Sequence, residues 1–289
     1  MESIGFIAAL ASAASWAFAT VLFERIGKVV PYTGITFLKG LFSIVLMLGF
    51  AIYNGNLFEC GFKEFAILAM SGIIGISIGD TLFFKSLQEL GAKMQVLFFM
   101  LGQVVTMLLS FLLLGDILSI MEYVGIFILL GGVVIVTWGR QEDHPNKKAG
   151  LISGFLSILC YSISSIMIKV SIGDIDIVSA TFYRMIFGTL VVMLAGFTYG
   201  KFTAWIRPLQ DIKLFGLFLL NVVVITFGGF MLSMLAIKNI SVSLASALST
   251  TEPLFVLAFA FFINKEKIIG RELLGALITI LGLLIIIYE

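Results

Sequence analysis

The chain has 289 residues, of which 60% are hydrophobic and only 12% are charged, and its formal net charge is +1. Soluble domains contain roughly 45–50% apolar and about 25% charged residues, so this composition excludes an ordinary soluble globular protein. The small net charge does not indicate a nucleic-acid-binding protein. With one histidine and only two cysteines, Cys60 and Cys160, we expect no metal site and no cofactor.

Apolar segments recur along the chain, each close to the roughly 20 residues that a transmembrane helix needs. Charged residues, proline, asparagine and glycine separate them. The first segment lacks the basic residues that precede the core of a secretory signal, so we expect it to remain as a membrane helix. The sequence predicts an all-α integral membrane protein with ten transmembrane helices, at residues 4–24, 33–53, 64–87, 93–114, 121–138, 150–169, 177–199, 213–236, 242–263 and 270–288.

The two halves of the chain resemble each other. A shift of 145 residues places Lys39 on Arg184, and other polar and small residues match at this or a slightly larger shift. Each half contains five spans, and because five is odd, the second half enters the membrane from the opposite side. We therefore predict two inverted five-helix repeats around a central cavity, with a first repeat at 1–139, a polar cytoplasmic linker at 140–149 and a second repeat at 150–289.

The cationic residues in the connections predict the orientation. Of the 18 Lys and Arg residues, 13 lie in connections after odd-numbered spans, whereas only Lys63, Lys169 and Lys238 lie in connections after even-numbered spans. The positive-inside rule places the first group in the cytoplasm. We therefore expect a multi-pass protein of the cell membrane with both termini on the extracytoplasmic side.

Four ionisable residues, Lys39, Asp80, Arg184 and Glu252, lie inside predicted spans, where a charge costs about 3 kcal/mol or more and normally faces the bundle interior. The matched Lys39 and Arg184 would flank the cavity, or each would extend to its nearer interface or pair with a carboxylate for stability. Asp80 lies at a depth similar to that of Lys39, which predicts an ion pair that is either a cytoplasmic gate or static. Asp80 and Glu252 are the candidates for a gate or a proton relay.

Glu252 and Pro253 form a pair in the ninth predicted span. Because Pro253 has no N–H, the carbonyl of Ser249 loses its helical partner and the helix is expected to kink. Free backbone groups within a membrane are tolerated only where protein, water or ligand satisfies them. We therefore assign Ser249 and Glu252 to the cavity, although the hydroxyls of this region could also bond back to their own helix.

Further side chains are candidates for the cavity lining. Trp16 and Tyr161 each carry a polar hydrogen that needs a partner within the membrane. Tyr183 precedes Arg184, and Asn221 lies in the eighth predicted span. The predicted lining is thus Trp16, Lys39, Tyr161, Tyr183, Arg184, Asn221, Ser249 and Glu252.

The segment Gly75-Ile76-Ser77-Ile78-Gly79 fits the G-x-S-x-G pattern of serine hydrolases. That motif needs a strand–turn–helix context, whereas here it lies in an apolar helix, and the only histidine belongs to the linker. The chain also lacks the glycine-rich phosphate loop of an ATPase. The sequence therefore predicts neither a catalytic site nor an ATP-driven pump.

The ten spans, the cation in the second span of each half and the run Ala236–Phe255 with its Ser-Thr-Thr-Glu-Pro segment resemble the EamA branch of the drug/metabolite transporter superfamily. The resemblance covers essentially the whole chain. It implies a basket of helices around a central cavity that works by alternating access. Members export amino acids, other metabolites or toxic compounds, or act as facilitators. The first half departs from the fuller pattern, because Gln103-Val104 stands where Glu-Pro would fit.

The leading hypothesis is a secondary transporter of small metabolites, an exporter or a facilitator. Amino acids are candidate substrates, because cations and carboxylates both lie near the predicted pathway. One alternative is a proton-coupled exporter of cationic drugs or toxic compounds, and a second is a membrane interaction protein that transports nothing. The expected partners are a small-molecule substrate and the lipid bilayer, without nucleic acid. The sequence leaves the oligomeric state open, and a monomer is compatible with it.

Overall fold

The computed structural model describes residues 2–54, 60–137, 147–264 and 270–287, and these residues form helices and turns without a strand. Two π-helical segments, Ile73–Gly79 and Val224–Met231, and a 3-10 turn, Arg207–Gln210, interrupt the α-helices. The α-helices are α1 (Glu2–Ile26), α2 (Tyr32–Asn54), α3 (Phe62–Gly72), α4 (Asp80–Leu114), α5 (Ile120–Thr137), α6 (Lys147–Ile172), α7 (Ile177–Thr198), α8 (Phe202–Ile206), α9 (Ile212–Val223), α10 (Leu232–Asn239), α11 (Val242–Ser249), α12 (Glu252–Asn264) and α13 (Gly270–Ile287).

These helices account for the ten predicted spans. Seven helical segments of the described ranges are long and apolar enough to cross a membrane, and the shorter apolar helices Leu101–Leu114, Ile120–Gly132 and Leu273–Ile286 accompany them. Large apolar side chains such as Phe127 and Phe262 are exposed on the outer surface, where lipid surrounds a membrane protein. The protein is an all-α integral membrane protein with ten transmembrane helices. Most of the predicted linker, through residue 146, lies outside the described residues.

The third and fourth spans are joined through a single glycine. The third span consists of α3, the first π-helical segment and the beginning of α4, and the fourth span is the remainder of α4. Gly91 separates them with φ 75° and ψ 169°, a conformation that is essentially confined to glycine. The chain thus turns from the third span into the fourth at Gly91, and helical structure continues on both sides of this residue.

The connection between α7 and α9 contains a short helix, α8, that the sequence did not predict. Its Trp205 is buried and fits into space left by glycines of two spans. A Cβ on Gly34 of α2 would lie 2.9 Å from the indole ring, and a Cβ on Gly196 of α7 would lie closer still. The indole therefore fastens this connection to the second and seventh spans.

The contacts between helices follow the predicted symmetry. The first span (α1) packs on the ninth (α12), and the sixth span (α6) packs on the fourth (α4). The second and seventh spans (α2 and α7) pack on each other, as do the fifth and tenth (α5 and α13). Exchanging the two halves leaves this set of contacts unchanged. The two five-helix units are inverted repeats, and they enclose a central cavity.

Glycines let the fifth and tenth spans approach closely at the symmetry axis. A Cβ on Gly125 would lie 2.9 Å from the carbonyl oxygen of Gly282, and a Cβ on Gly132 would lie 2.7 Å from that of Gly275. Gly125 matches Gly275 in the repeat and Gly132 matches Gly282. Each half therefore presents the same glycines to the other half, as expected when small residues bring membrane helices together.

Two matched polar contacts join helices at opposite ends of the bundle. We call the end where α1 finishes the linker end, and the end where α1 begins the terminal end. At the linker end, Gln88 Nε2 donates to the carbonyls of Gly27 and Val30, at 3.0 and 2.8 Å. At the terminal end, Lys238 Nζ donates to the carbonyl of Ile175 at 2.8 Å. Gln88 and Lys238 lie 150 residues apart and Val30 and Ile175 lie 145 residues apart, so the two contacts occupy similar places in the halves, with an amide in one and a cation in the other.

Lys169 strengthens the contact at the terminal end. Its Nζ, on α6, donates to the carbonyls of Ile237 and Ile240, each at 2.7 Å. These carbonyls lie at the C-terminal end of α10, where the helix dipole favours a cation. Lys169 therefore binds the end of the eighth span, and Lys238 binds the connection that follows the sixth span.

Candidate functional site

A cavity of about 130 Å³ lies between the two halves. It can hold several water molecules or a small solute, since one water needs roughly 10–15 Å³ on this measure. One face of α6 supplies Ser157, Tyr161, Ser164 and Ser165 to the lining, at the three- and four-residue spacing of a helix face. The other lining residues include hydroxyl, amide and charged side chains. The wall of the cavity is therefore mainly apolar, with polar and charged groups set into it.

The structure brings together five of the eight predicted lining residues. Trp16, Tyr161, Arg184, Ser249 and Glu252 all line the cavity. Lys39, Tyr183 and Asn221 are not among the lining residues, and each has a separate physical reason.

Lys39 contacts a carboxylate beside the cavity rather than the cavity itself. It is completely buried and forms an ion pair with Asp80, which is also completely buried, so the pair predicted from the sequence is present. Tyr161 donates its hydroxyl to Asp80 Oδ1 at 2.6 Å. The Lys39 ammonium also lies 4.7 Å from the centre of the Phe230 ring, a cation–π contact. Tyr161 thus links the cavity to a buried charge pair.

Tyr183 and Asn221 make packing and backbone contacts instead. The ring of Tyr183 packs edge-on against Phe65, with ring centres 5.1 Å apart. The amide of Asn221 donates to the carbonyl of Ala19 at 3.2 Å. Neighbouring positions on a helix point in different directions, so adjacency to Arg184 did not place Tyr183 at the cavity.

The ninth span breaks beside Pro253, as the sequence predicts. α11 ends at Ser249 and α12 begins at Glu252. The hydroxyls of Thr250 and Thr251 donate to carbonyls of their own helix, at 2.5 and 2.7 Å, which satisfies part of the freed backbone. Ser249 also bonds back, to Ala245, while still lining the cavity.

Glu252 stands in the first turn of α12, where a helix N-terminus favours an anion. It is 4% exposed and lines the cavity. Its Oε2 has no hydrogen-bond partner among the described residues. A buried carboxylate oxygen in this state is available to a donor from a bound solute.

Arg184 is held by neutral groups only. Its Nε donates to Ser71 Oγ at 3.0 Å, and its Nη2 donates to Ser164 Oγ at 3.1 Å. Within the described residues, no carboxylate lies within the 4.0 Å of an ion pair with Arg184. The matched cations of the two halves therefore differ, because Lys39 is neutralised by direct contact and Arg184 is not.

The two π-helical segments occupy matched places in the third and eighth spans, and a serine from the other half contacts each region. Ser164 Oγ donates to the carbonyl of Ser71, directly before the first segment, at 2.9 Å. Ser12 Oγ donates to the carbonyl of Gly229, within the second segment, at 2.9 Å. Wide π turns alter the helical hydrogen-bond register and often accompany functional sites. Here they bring backbone carbonyls of one half into contact with the other half.

Sequence reasoning missed Ser71, Ser164 and Gln95. Gln95 is 3% exposed and lines the cavity, and its Oε1 has no hydrogen-bond partner among the described residues. Ser164 could have been found, because it lies one turn beyond Tyr161 on the same helix face. No sequence signal distinguishes Ser71 from the many hydroxyls that only bond to their own helix.

Comparisons with known proteins agree with this architecture. The profile of the EamA-like transporter family matches residues 3–138 and 148–288. The chain belongs to the EamA-like transporter family. It is a membrane transporter, because the family match is accompanied by relatives that are named as transporters.

Relatives of this EamA-like protein occur in archaea and in humans. An uncharacterized transporter of Archaeoglobus fulgidus is 24% identical over 283 residues, 96% of each chain. The human solute carrier family 35 member G1 is 29% identical over 153 residues, which are 51% of this chain and 40% of the human protein. A solved crystal structure, at 16% identity, superimposes with a TM-score of 0.72 over 99% of this chain and 96% of the other, which supports the fold.

Proposed function

We propose that this transporter moves small polar metabolites, amino acids among them, by alternating access, as a secondary exporter or facilitator. The observation that carries this proposal is the cavity of about 130 Å³ between two inverted halves, with polar and charged side chains in its wall. A protein that only binds partners in the membrane has no need for such groups around a cavity among its spans, and burying polar groups there is costly.

Charge at the cavity supports a substrate with both a positive and a negative group. Arg184 and Glu252 both line the cavity, and they do not form an ion pair with each other. A zwitterion can complement both side chains at once, whereas a purely cationic drug complements only Glu252. Cationic compounds remain the second candidate, because aromatic rings of Trp16, Phe83 and Phe230 surround the same space.

Transport is tested with purified protein in proteoliposomes. Radiolabelled amino acids and cationic dyes are supplied in parallel, with protein-free liposomes as the control, and internal pH is recorded. Protein-dependent amino-acid flux is the expected result. Dye flux with proton release supports the drug exporter instead, and flux of neither class contradicts the proposal and favours an interaction protein.

We infer that the linker end faces the cytoplasm and that both termini are extracytoplasmic in the cell membrane. The bias of 13 against three cations supports this orientation. The test fuses a reporter enzyme that is active only outside the cytoplasm to either terminus, and inserts it at His144 as the matched control. Activity at the termini and none at His144 is expected, and the reverse pattern overturns the assignment.

We further propose that the contact of Tyr161 with the Lys39–Asp80 pair is a gate that opens during transport. It joins the sixth span to the second and third, and it borders the cavity. Asp80→Asn removes the charge and Tyr161→Phe removes only the hydroxyl. Reduced flux is expected in both, compared at equal amounts of folded protein, because Asp80→Asn leaves Lys39 without its counterion and lowers stability. Unchanged flux in folded Asp80→Asn protein shows that the pair is static.

A further inference from the structure

The guanidinium of Arg184 has more donors than its protein partners use. Arginine carries five N–H groups and cannot lose its charge in a protein. One N–H of Nε and one of Nη2 are bonded to Ser71 and Ser164. Among the described residues, no protein group accepts a hydrogen bond from the remaining three, and Arg184 lines the cavity while being only 6% exposed. These donors are therefore available to a molecule in the cavity.

The two serines are oriented as acceptors toward the guanidinium. Ser71 Oγ donates its hydrogen to the carbonyl of Leu68 at 2.7 Å, and Ser164 Oγ donates its hydrogen to the carbonyl of Ser71 at 2.9 Å. Each hydroxyl has one hydrogen, so its lone pairs face Arg184. This arrangement fixes the direction of the guanidinium without neutralising it.

Glycines of the third span make room for this cluster. A Cβ on Gly72 would lie 2.7 Å from the Cα of Arg184, and a Cβ on Gly75 would lie 3.4 Å from Nη2. The Gly75 Cβ would also lie 2.5 Å from Ser164 Oγ. The third span thus lacks side chains where the guanidinium passes, so the position of Arg184 is set by close packing as well as by hydrogen bonds.

The group formed by Lys39, Asp80 and Arg184 carries one net positive charge. Lys39 and Arg184 are two cations, and Asp80, which attracts Arg184 from a distance, is in direct contact with Lys39 only. Because a buried charge is costly unless it is paired, an acidic group is favoured beside Arg184. Planar carboxylates suit the remaining donors, since guanidinium binds them through two parallel hydrogen bonds.

We propose that Arg184 is a subsite for the carboxylate of the transported molecule, with Ser71 and Ser164 as positioning residues. This assignment rests on the proposed transport function, but it concerns binding and can be tested without flux. It names the end of the substrate that Arg184 contacts, and leaves Glu252 for a donor such as an ammonium group.

The test measures thermal stabilisation of the purified protein by three small probes of similar size. Propionate carries only a carboxylate, propylamine carries only an amine, and alanine carries both. A ligand that binds the folded state raises the unfolding midpoint. We expect propionate and alanine to stabilise the wild-type protein and to compete with each other. If neither raises the midpoint, the subsite assignment is wrong.

Variants separate binding from folding. Arg184→Met should weaken the binding of propionate and alanine about 10–100-fold, because charged hydrogen bonds are lost. The binding of propylamine should not change. Ser164→Ala should weaken the binding of the same two probes about threefold to tenfold. Ser171→Ala is the matched control, because Ser171 lies on the same helix and bonds to Met167 of its own helix, but is not among the residues that line the cavity.

The outcomes distinguish this inference from the transport proposal. Carboxylate binding that is equal in wild-type, Arg184→Met and Ser164→Ala proteins overturns the subsite, even if flux is observed. Carboxylate binding that depends on Arg184, in a protein without any flux, supports the subsite and contradicts transport. If Arg184→Met does not fold, the comparison of Ser164→Ala with Ser171→Ala and the competition in wild-type protein still decide the question.

Discussion

Lys39 and Arg184 lie at matched positions in the second and seventh spans, yet their surroundings differ. Lys39 contacts the carboxylate of Asp80, whereas Arg184 contacts two serine hydroxyls. The position that matches Asp80 in the second half is Gly229, which has no side chain to offer. Likewise the second half has Glu252 where the first has Gln103. The first half thus contains a neutral pair, and the second half contains the separated charges.

Several backbone features, by contrast, recur in both halves. Matched π-helical segments interrupt the third and eighth spans, and matched glycines make the contact of the fifth and tenth. Small residues and hydrogen-bond register are therefore retained where the halves touch each other. The duplicated scaffold thus forms the walls of the cavity, while the unmatched polar residues give the two halves different side chains at it.

The largest expected effect on stability comes from removing one member of the buried Lys39–Asp80 pair. Lys39→Met leaves Asp80 buried without its cation and should lower the free energy of unfolding by about 3–5 kcal/mol. Arg184→Met leaves no directly contacting carboxylate without its partner, so it should lower the free energy of unfolding by only about 1–3 kcal/mol. Thermal or denaturant unfolding in detergent measures both. The double variant Lys39→Met/Asp80→Asn should recover most of the loss, and equal losses in both single variants would contradict the comparison.

A smaller effect is expected at the shared glycine contact. Gly132→Ala and Gly282→Ala each force a Cβ against the opposite backbone and should destabilise the protein by about 1–3 kcal/mol. Gly131→Ala is the control, because a Cβ there meets nothing within 4 Å. Similar losses at Gly132 and Gly282 are expected from the symmetry. A loss at only one of them would show that the halves do not share this contact equally.

Exchanging the unmatched carboxylate tests the polar difference directly. Glu252→Gln should weaken the binding of propylamine and alanine by about 10-fold or more, since a charged hydrogen bond contributes about 1.5–3 kcal/mol. The double variant Gln103→Glu/Glu252→Gln should restore part of this binding, because the two positions are matched across the cavity. Probe-dependent unfolding midpoints provide the measurement. Unaltered amine binding in Glu252→Gln would remove Glu252 from the site.

The smallest effect is expected at the ends of the bundle. Lys238→Met removes the contact with Ile175 and should cost about 1 kcal/mol, whereas Lys238→Gln should cost less, because Gln88 makes the matched contact in the first half. Lys169→Met removes two contacts and should cost more than Lys238→Met. Unfolding midpoints rank the three variants. If Lys238→Gln had the lowest unfolding midpoint of the three, an amide could not replace the cation in this contact.

The sequence was sufficient for the parts that depend on apolar length and on charge. The ten spans follow from runs of apolar residues, and the Lys39–Asp80 pair follows from two opposite charges at similar depth. The break at Pro253 follows from its missing N–H. These features are local, or need only the depth of a residue in the membrane.

Other features depend on contacts that a single sequence does not specify. The π-helical register of Ile73–Gly79 accompanies packing on α6, and Ser71 becomes important only because Arg184 reaches it. The rotation of α7 decided that Arg184 and not Tyr183 lines the cavity. The burial of Trp205 needed glycines from two distant spans.

The glycine contact between α5 and α13 has a consequence for the origin of the chain. Each half meets the other through the same surface, so the interface is self-complementary in the sense of a symmetric dimer. A shorter ancestor could have paired through it with a copy of itself inserted in the opposite direction. Because each copy crosses the membrane an odd number of times, fusing two genes end to end would preserve that antiparallel pairing without adding a helix.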